Sequence, residues 1–571
     1  MTQMPRHTPP TAWVWADQDE SPAHTRKKMT TTARRKKTLH LPHLQYDRDF
    51  IRRRSFGGMS ELMCQESTAH GIGHVWNNRR NLLGVFWFIA TLAMFILLLI
   101  VAGRLFLDFI RRDPKSQTTV KISTTGELQL PSGVLCNRQF FSRRKLQAFN
   151  ISSGLANYLI VTTGSPFILK EGFLVSAEGQ TFLQESQEQL LHLLRTHNLT
   201  YTQLIDAISY SCEELVLRCG LGTTRTNSTE CCKAFIPMPT MAGKCYTYYA
   251  DAHHTQAMEG EYLGFSLFVN ITQDDYPEID PRILDVSLML KTGMQVTFIS
   301  NHTHPSFVAV GQGVPLLPRV YTAVDVALTV VRDTGMKTVF DWSETDCTPS
   351  LKVNYLLDKE SFLNTEPNCD VGATRYCFRR VCNCSSYGLD NSDENWPLCP
   401  LNVNQHCYGL MFTSLNMSYP ITNKIPTTQE RYANMTQSQA NQCWQEAKQR
   451  CRRMCARYDY TYQTTHLPIK DYLREDINNE FALANGSDVA VLVAFFPNLR
   501  YTEVKCWRST IDEFMSELGG YTGVFLGCSF ITFIEIFVFL GIFITFFIRE
   551  VISRLKTSVK PSPSRSQACT E

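Results

Sequence analysis

Two stretches of this chain leave it few ways to fold. Leu82 to Gly103 runs for 22 residues without a formal charge, and Leu518 to Ile548 runs for 31 with Glu535 alone. As helices rising ~1.5 Å per residue they reach ~33 and ~46 Å, against a hydrocarbon core of roughly 30 Å. Each can span a bilayer, and no third stretch of this kind exists in the 571 residues. A purely soluble enzyme and a many-helix transporter are both excluded. What remains is a two-span membrane protein with 414 residues, Arg104 to Glu517, between the spans.

Charge gives the sides. Residues 1–81 hold 14 Lys/Arg against 7 Asp/Glu and residues 549–571 hold 5 against 2, whereas the central segment holds 37 against 43. Positive charge stays inside, so both termini are expected in the cytosol of a plasma-membrane protein, although Arg104, Arg111 and Arg112 dissent at the outer end of the first span. N-glycosylation sequons agree, because they are useful only on a lumenal surface. Nine begin at Asn150, Asn198, Asn227, Asn270, Asn301, Asn383, Asn416, Asn434 and Asn485, all between the spans, and Asn383 is hemmed in by Cys382 and Cys384. Of the 20 cysteines, 17 fall in the same segment; the exceptions are Cys64, Cys528 and Cys569. Without CxxC pairs or a following His pair, these read as disulfides of an oxidising compartment and not as zinc ligands. Seventeen is odd, which singles out Cys506, isolated near the second span, as the thiol left over. The first 80 residues are polar and basic, so the first span would itself direct insertion.

Within the central segment, leucines at helical spacing predict a helix over Phe182–His197, and Gln429–Tyr458 is a second helical candidate in which Cys451 and Cys455 would share a face. Val489–Phe496 and Arg500–Trp507 read as two strands around a turn. The motifs HExxH, GxSxG, GxxxxGK[ST] and the EF-hand loop are missing, so no enzymatic activity, cofactor or metal site is expected.

The second span carries the unusual chemistry. Gly519, Gly520, Gly523 and Gly527 crowd its outer half, and glycine costs about 1 kcal/mol relative to alanine in a helix interior. Tight packing through small residues is one reading. The other is a helix that breaks at Gly527, Cys528 and Ser529 to expose backbone to a water-filled pore, where alone such backbone is tolerated at this depth. Glu535 favours the second, because an intramembrane carboxylate normally faces an aqueous pathway.

These residues resemble the degenerin, epithelial sodium channel and acid-sensing ion channel superfamily, in order along nearly the whole chain. The segment ESTAHGIGHV carries the His-Gly pair, His70 and Gly71; LPSGVLCN (Leu130–Asn137), GKCYTYY (Gly243–Tyr249), GFSLFVNITQDDY (Gly264–Tyr276), the ten cysteines from Cys347 to Cys455, and GCS (Gly527–Ser529) follow. The resemblance implies two transmembrane helices and a large α+β, disulfide-rich ectodomain of palm, β-ball, finger, thumb and knuckle, assembled as a homo- or heterotrimeric, amiloride-sensitive, sodium-conducting channel. It divides the chain into a cytosolic region 1–81 with a His-Gly re-entrant segment, spans at 82–103 and 518–548, an extracellular domain 104–517 and a cytosolic tail 549–571. Gly527, Cys528 and Ser529 would form the selectivity filter, with Glu535 in the pore, His70 and Gly71 in a re-entrant turn below, and Ser516 at a gating position. The implied bridges are Cys347–Cys455, Cys369–Cys451, Cys377–Cys443, Cys382–Cys407, Cys384–Cys399, Cys136–Cys245 and Cys212–Cys219, with no assignment for Cys231 and Cys232.

The stimulus is the open question. The wording from Glu66 to Ile72 resembles the invertebrate channels opened by FMRFamide and related neuropeptides, whereas the His pair of proton-gated relatives outside the first span and a C-terminal PPxY are both missing. A peptide-gated sodium channel is therefore expected, with acid-sensing and constitutive or mechanically gated channels as the competing readings. Expected partners are the peptide, amiloride as a blocker, further copies of the chain and the bilayer, with no nucleic acid. An ATP-gated channel shares the two spans but not the motifs, and a passive adhesion receptor leaves Glu535 and the GCS break unexplained.

Overall fold

The computed structural model describes Met63 and residues 67–558, except 69, 112, 114, 125, 165–167, 171, 251–253, 286–292, 312, 334–346, 348–356, 358–361, 390–395, 414–436, 452–453 and 484–485. The chain divides into two units. One comprises residues 1–95 with 526–571, and the other residues 96–525.

Among the described residues the larger unit is built on an eight-stranded sheet, a five-stranded sheet and a two-stranded one. Their strands are β1 (Lys115–Ile122), β2 (Leu128–Gln129), β3 (Ser132–Asn137), β4 (Val216–Leu221), β5 (Thr224–Asn227), β6 (Phe235–Thr240), β7 (Gly243–Tyr248), β8 (Thr255–Gln256), β9 (Phe265–Thr272), β10 (Met294–Ile299), β11 (Val314–Leu316), β12 (Val320–Asp333), β13 (Ala456–Pro468), β14 (Ser487–Phe495) and β15 (Arg500–Trp507). An eight-stranded sheet runs β1-β15-β12-β14-β9-β4-β5 with β13 also on β12, and a five-stranded sheet runs β11-β10-β3-β7-β6. Strand β14 is buried along its whole length. Ala490, Leu492 and Ala494 enter the main core, while Val489, Val491, Val493 and Phe495 face a second cluster with Ile477 and Phe481. An uninterrupted apolar run is what a strand covered on both faces requires.

The strands expected at Val489–Phe496 and Arg500–Trp507 both form, yet they are not each other's partners. Both run parallel to β12, with Tyr321 opposite Val491 and Thr329 opposite Thr502. They lie end to end along one edge of β12, and the loop between them shifts the pairing by three residues. The other edge of β12 is taken by β13, from Val320 opposite Pro468 to Arg332 opposite Ala456.

The helix expected at Phe182–His197 starts earlier, at Ala177, because Ser176 accepts a hydrogen bond from the Gly179 N–H and caps it. It packs with Ser153–Thr163 and Tyr201–Ile208 around a core that includes Leu159, Leu190 and Leu204. A separate cluster gathers helices Glu366–Cys377, Leu401–Thr413 and Gln437–Arg450 around half-cystines.

Among the described residues eight disulfides form. Five run in nested order as Cys347–Cys455, Cys369–Cys451, Cys377–Cys443, Cys382–Cys407 and Cys384–Cys399. Cys136–Cys245 joins directly opposed residues of β3 and β7. The bridge Cys212–Cys219 does not form: Cys212 bonds Cys232 and Cys219 bonds Cys231. Cys219 lies on β4, and an extended strand rising ~3.3 Å per residue carries it away from the short helix that holds Cys212, beyond the ~7 Å reach of a disulfide. The helix Ser228–Ala234 delivers two adjacent cysteines there instead. The seventeenth cysteine of this segment, Cys506, stands outside the eight bridges. A second correction concerns Cys451 and Cys455, which share no helical face. The described helix ends at Arg450, Cys451 follows it, and Cys455 immediately precedes β13, whose alternating RYDYTY pattern pairs with the open edge of β12.

Among the described residues two helices are long and apolar enough to cross a membrane, Leu82–Arg111 and Ile531–Arg549, and each is almost wholly uncovered by the rest of the chain. The first continues eight residues past Gly103. The stretch Leu518–Ile548 is not one helix: Ile511–Leu526 ends, three residues intervene, and Phe530–Ser558 begins.

Candidate pore site

The interruption falls at Gly527, Cys528 and Ser529. Gly527 adopts φ 60°, a left-handed backbone that other L-residues enter at a cost of roughly 1–2 kcal/mol. A helix that stops leaves its last carbonyls without N–H partners, a serious cost where water is scarce. Here His70 takes two of them. Its main-chain N–H donates to the Leu526 carbonyl at 3.1 Å, and its Nδ1 lies 3.2 Å from the Gly527 carbonyl. Since a carbonyl only accepts, the imidazole serves it with the proton on Nδ1.

The second helix begins with its own cap. Ser529 Oγ accepts from the Thr532 N–H at 3.4 Å, and Thr532 Oγ1 accepts from the Ser529 N–H at 3.1 Å. This reciprocal arrangement is a capping box with threonine in the fourth position. Thr532 also meets Thr68, their hydroxyl oxygens 2.8 Å apart. Thr68 then gives its main-chain N–H (3.2 Å) and its hydroxyl (2.9 Å) to Glu535 Oε2. The intramembrane carboxylate is thus held by two donors from a segment far away in sequence.

The residues around His70 are fixed from the other side. Gly71 has φ 95°, and a Cβ built there would lie 2.5 Å from Thr91 Oγ1 on the first long helix, so only glycine permits the approach. The helix Ile72–Asn77 follows, and His74 stacks on Trp87 with centroids 4.8 Å apart. A Cβ at Gly527 would run into the His70 imidazole.

In the larger unit, Ser516 is exposed on helix Ile511–Leu526. The start of that helix is tied down. Lys115 reaches Glu513 at 3.0 Å and Glu517 at 3.9 Å, and the Glu513 hydrogen bond is the main reason the Lys115 ammonium is held above its usual value. Phe514 packs 5.0 Å from Phe109 and 6.3 Å from Phe106.

Of the sequons, Asn150, Asn198 and Asn227 are exposed and Asn301 is half-buried. Asn270 is half-buried on β9; its amide nitrogen, the atom that would carry a glycan, donates to the Glu214 carbonyl at 3.2 Å, and its Oδ1 is buried. Asn416, Asn434 and Asn485 lie outside the described residues, as do Cys64 and Glu66.

The structure therefore brings His70, Gly71, Gly527, Ser529 and Glu535 into one site and adds Thr68, Thr91 and Thr532. The Ser-x-x-Thr spacing could have revealed Thr532. Nothing local marks Thr68, whose partners lie more than 460 residues away.

The second apolar stretch is thus broken at Gly527–Ser529, with an N-terminal turn bonded into the break. Residues 63–539 match the family model described as amiloride-sensitive sodium channel. The chain belongs to that family. This sodium-channel chain is 21% identical over 505 residues to the "Sodium channel protein Nach" of Drosophila ananassae, covering 84% of this chain and 86% of the relative. It is 20% identical over 526 residues to the protein of the same name in Drosophila melanogaster, with the same coverage. As a member of the amiloride-sensitive sodium channel family it is an ion channel and not an enzyme, and sodium is the permeant ion that fits the family.

Proposed function

We propose that this chain is a subunit of a trimeric plasma-membrane sodium channel, blocked by amiloride, with both termini cytosolic, and opened by an extracellular neuropeptide of the FMRFamide type. The observation that carries the pore reading is the interruption at Gly527–Ser529 with His70 bonded to its carbonyls. Three copies around an axis would bring three such interruptions together. Sodium would then exchange part of its hydration shell for fixed oxygens, with selectivity set by ring size and oxygen field strength. Gating is a population shift, limited to the difference in the ligand's affinity for the open and closed forms.

Peptide gating over proton gating is supported by the sequence wording around His70, and four carboxylates of the larger unit are removed as candidate proton sensors. Burial pushes the Asp275 carboxyl up, but hydrogen bonds from Ser142 and from the Arg144 main chain and guanidinium outweigh it and hold the group below its usual range. Hydrogen bonds from Arg282 to Asp280, Arg380 to Glu446 and Lys121 to Glu503 act in the same direction. Groups held ionised in this way do not titrate at mildly acid pH. The test is current recorded from cells expressing this chain alone, under Arg-Phe-amide peptides and then under acid. Opening by peptide at micromolar concentration or below, with loss when the amide becomes a free acid, supports the reading. Opening by acid with no peptide response moves the channel to the proton-gated branch, and current without either stimulus moves it to the constitutive or mechanosensitive one.

A further inference from the structure

In the larger unit, the ends of β3, β9 and β10 meet helix Ser153–Thr163 around a cleft of about 290 Å³. Its walls are mostly apolar, with Phe140, Ile160, Ile271, Tyr276 and Ile279 among them, and Arg138 also lines it. The main chain of Arg138 is satisfied, its N–H donating to the Gly293 carbonyl at 3.1 Å. In the half-buried guanidinium, Nε is buried with no acceptor. Burial alone pushes this group down, with no carboxylate near enough to oppose it, and arginine does not shed its proton in proteins.

The polar neighbours are already committed. Gln139 donates its amide to the Thr272 carbonyl at 2.9 Å, and Gln273 donates to Asp488 at 2.6 Å. Asp275, beside Tyr276, is bound to Ser142 and Arg144. A cation left without a counter-ion in an apolar recess is costly, and the neighbouring acids are spoken for.

We propose that this cleft is a binding site for a small organic anion, a monocarboxylate with an aromatic or aliphatic body, whose carboxylate pairs with Arg138 while its body lies against Phe140, Ile160 and Ile279. A planar guanidinium is the group that best receives a carboxylate, and a mostly apolar recess with one fixed polar anchor is the usual form of a small-molecule site. The site is separate from the pore and does not depend on what stimulus opens the channel.

The test uses the purified full-length channel in lipid nanodiscs, with 3-phenylpropionate as probe and 3-phenylpropionamide as its uncharged counterpart, by equilibrium binding. Saturable binding of the acid is expected, weakened roughly tenfold or more for the amide and for Arg138→Met, since a hydrogen-bonded charge pair is worth about that factor or more. Tyr276→Ala, at the exposed rim where folding is not at risk, weakens binding to a smaller extent. The acid–amide comparison on the unaltered channel holds even if Arg138→Met misfolds. No saturable binding of the acid, equal binding of acid and amide, unchanged affinity in a folded Arg138→Met channel, or full displacement by chloride at concentrations equal to the probe would each overturn the proposal.

Discussion

His70 and Gly527 stand 457 residues apart in sequence and 3.2 Å apart in space, imidazole Nδ1 against main-chain carbonyl. The contact makes an N-terminal turn part of the helix break, so whatever moves one moves the other. It also explains two glycines at once: Gly527 has no room for a side chain on the His70 side, and Gly71 has none on the Thr91 side.

Gly527→Val should therefore abolish current or change the sodium-to-potassium preference while surface expression stays largely intact. The left-handed backbone is disfavoured for a β-branched residue, and the added carbons collide with His70. Reversal potentials under mixed sodium and potassium, with surface biotinylation as control, are the measurement. Unchanged conductance and selectivity would place the filter elsewhere.

Thr68 and Glu535 should be energetically coupled. Thr68→Val removes the hydroxyl donor and Glu535→Gln weakens both bonds; hydrogen bonds to a charged group contribute about 1.5–3 kcal/mol. In a double-mutant cycle on the apparent open–closed equilibrium, the two changes should be non-additive by about 0.5 kcal/mol or more. Strict additivity would mean the contact is absent in the working channel.

Ser516→Phe tests the gate. Ser516 is exposed within the single chain, on the helix whose start is held by Lys115 and Phe514. In the proposed closed trimer a bulky ring there would displace a neighbour, so a standing, amiloride-blockable current without ligand is the expected outcome. A variant that reaches the surface and opens like the parent counts against that placement.

The Asp275 share of the larger unit's stability should be constant between pH 7 and pH 5, whereas His406, held below its usual range by burial, should cost stability as pH falls through the unfolded histidine value of ~6.5. Asp275 has its folded value below the unfolded one, so its stabilising share is complete above the unfolded pKa of ~3.9 and is lost only as pH falls through the folded value. Thermal melting of the purified channel across this range is the check. Arg144→Met should lower the melting temperature at neutral pH and shrink that difference below pH 4. A fall between pH 7 and pH 5 that His406→Gln does not reduce would point to other groups titrating there.

Disulfide mapping by mass spectrometry without reduction should recover Cys212–Cys232 and Cys219–Cys231. Glycosidase-sensitive mobility shifts should disappear one at a time for Asn150→Gln and Asn198→Gln, and Asn270→Gln should remove none. A shift lost on removing Asn270 would show that its side chain is freed before the strand closes.

What the sequence by itself determined is whatever local chemistry dictates. Uninterrupted apolar length requires the two spans, since an unpaired backbone is intolerable in hydrocarbon. The four glycines and Ser529 mark where the second span would give way, and the continuous apolar run of β14 marks a strand covered on both faces. Leucine spacing placed the helix ending at His197 but not its first turn, which depends on the cap at Ser176. What only the tertiary structure decided are partnerships between distant residues. Strands β14 and β15 read as neighbours, yet each chose β12, because register is set by which edge is free and which face is buried. Cys219 lost Cys212 because a strand is extended, and Cys451 and Cys455 lost their common face because the helix ends at Arg450, before either of them. Thr68 could not be singled out at all: a hydroxyl is ordinary until folding brings Thr532 and Glu535 to it, and no local pattern records a bond that spans 467 residues.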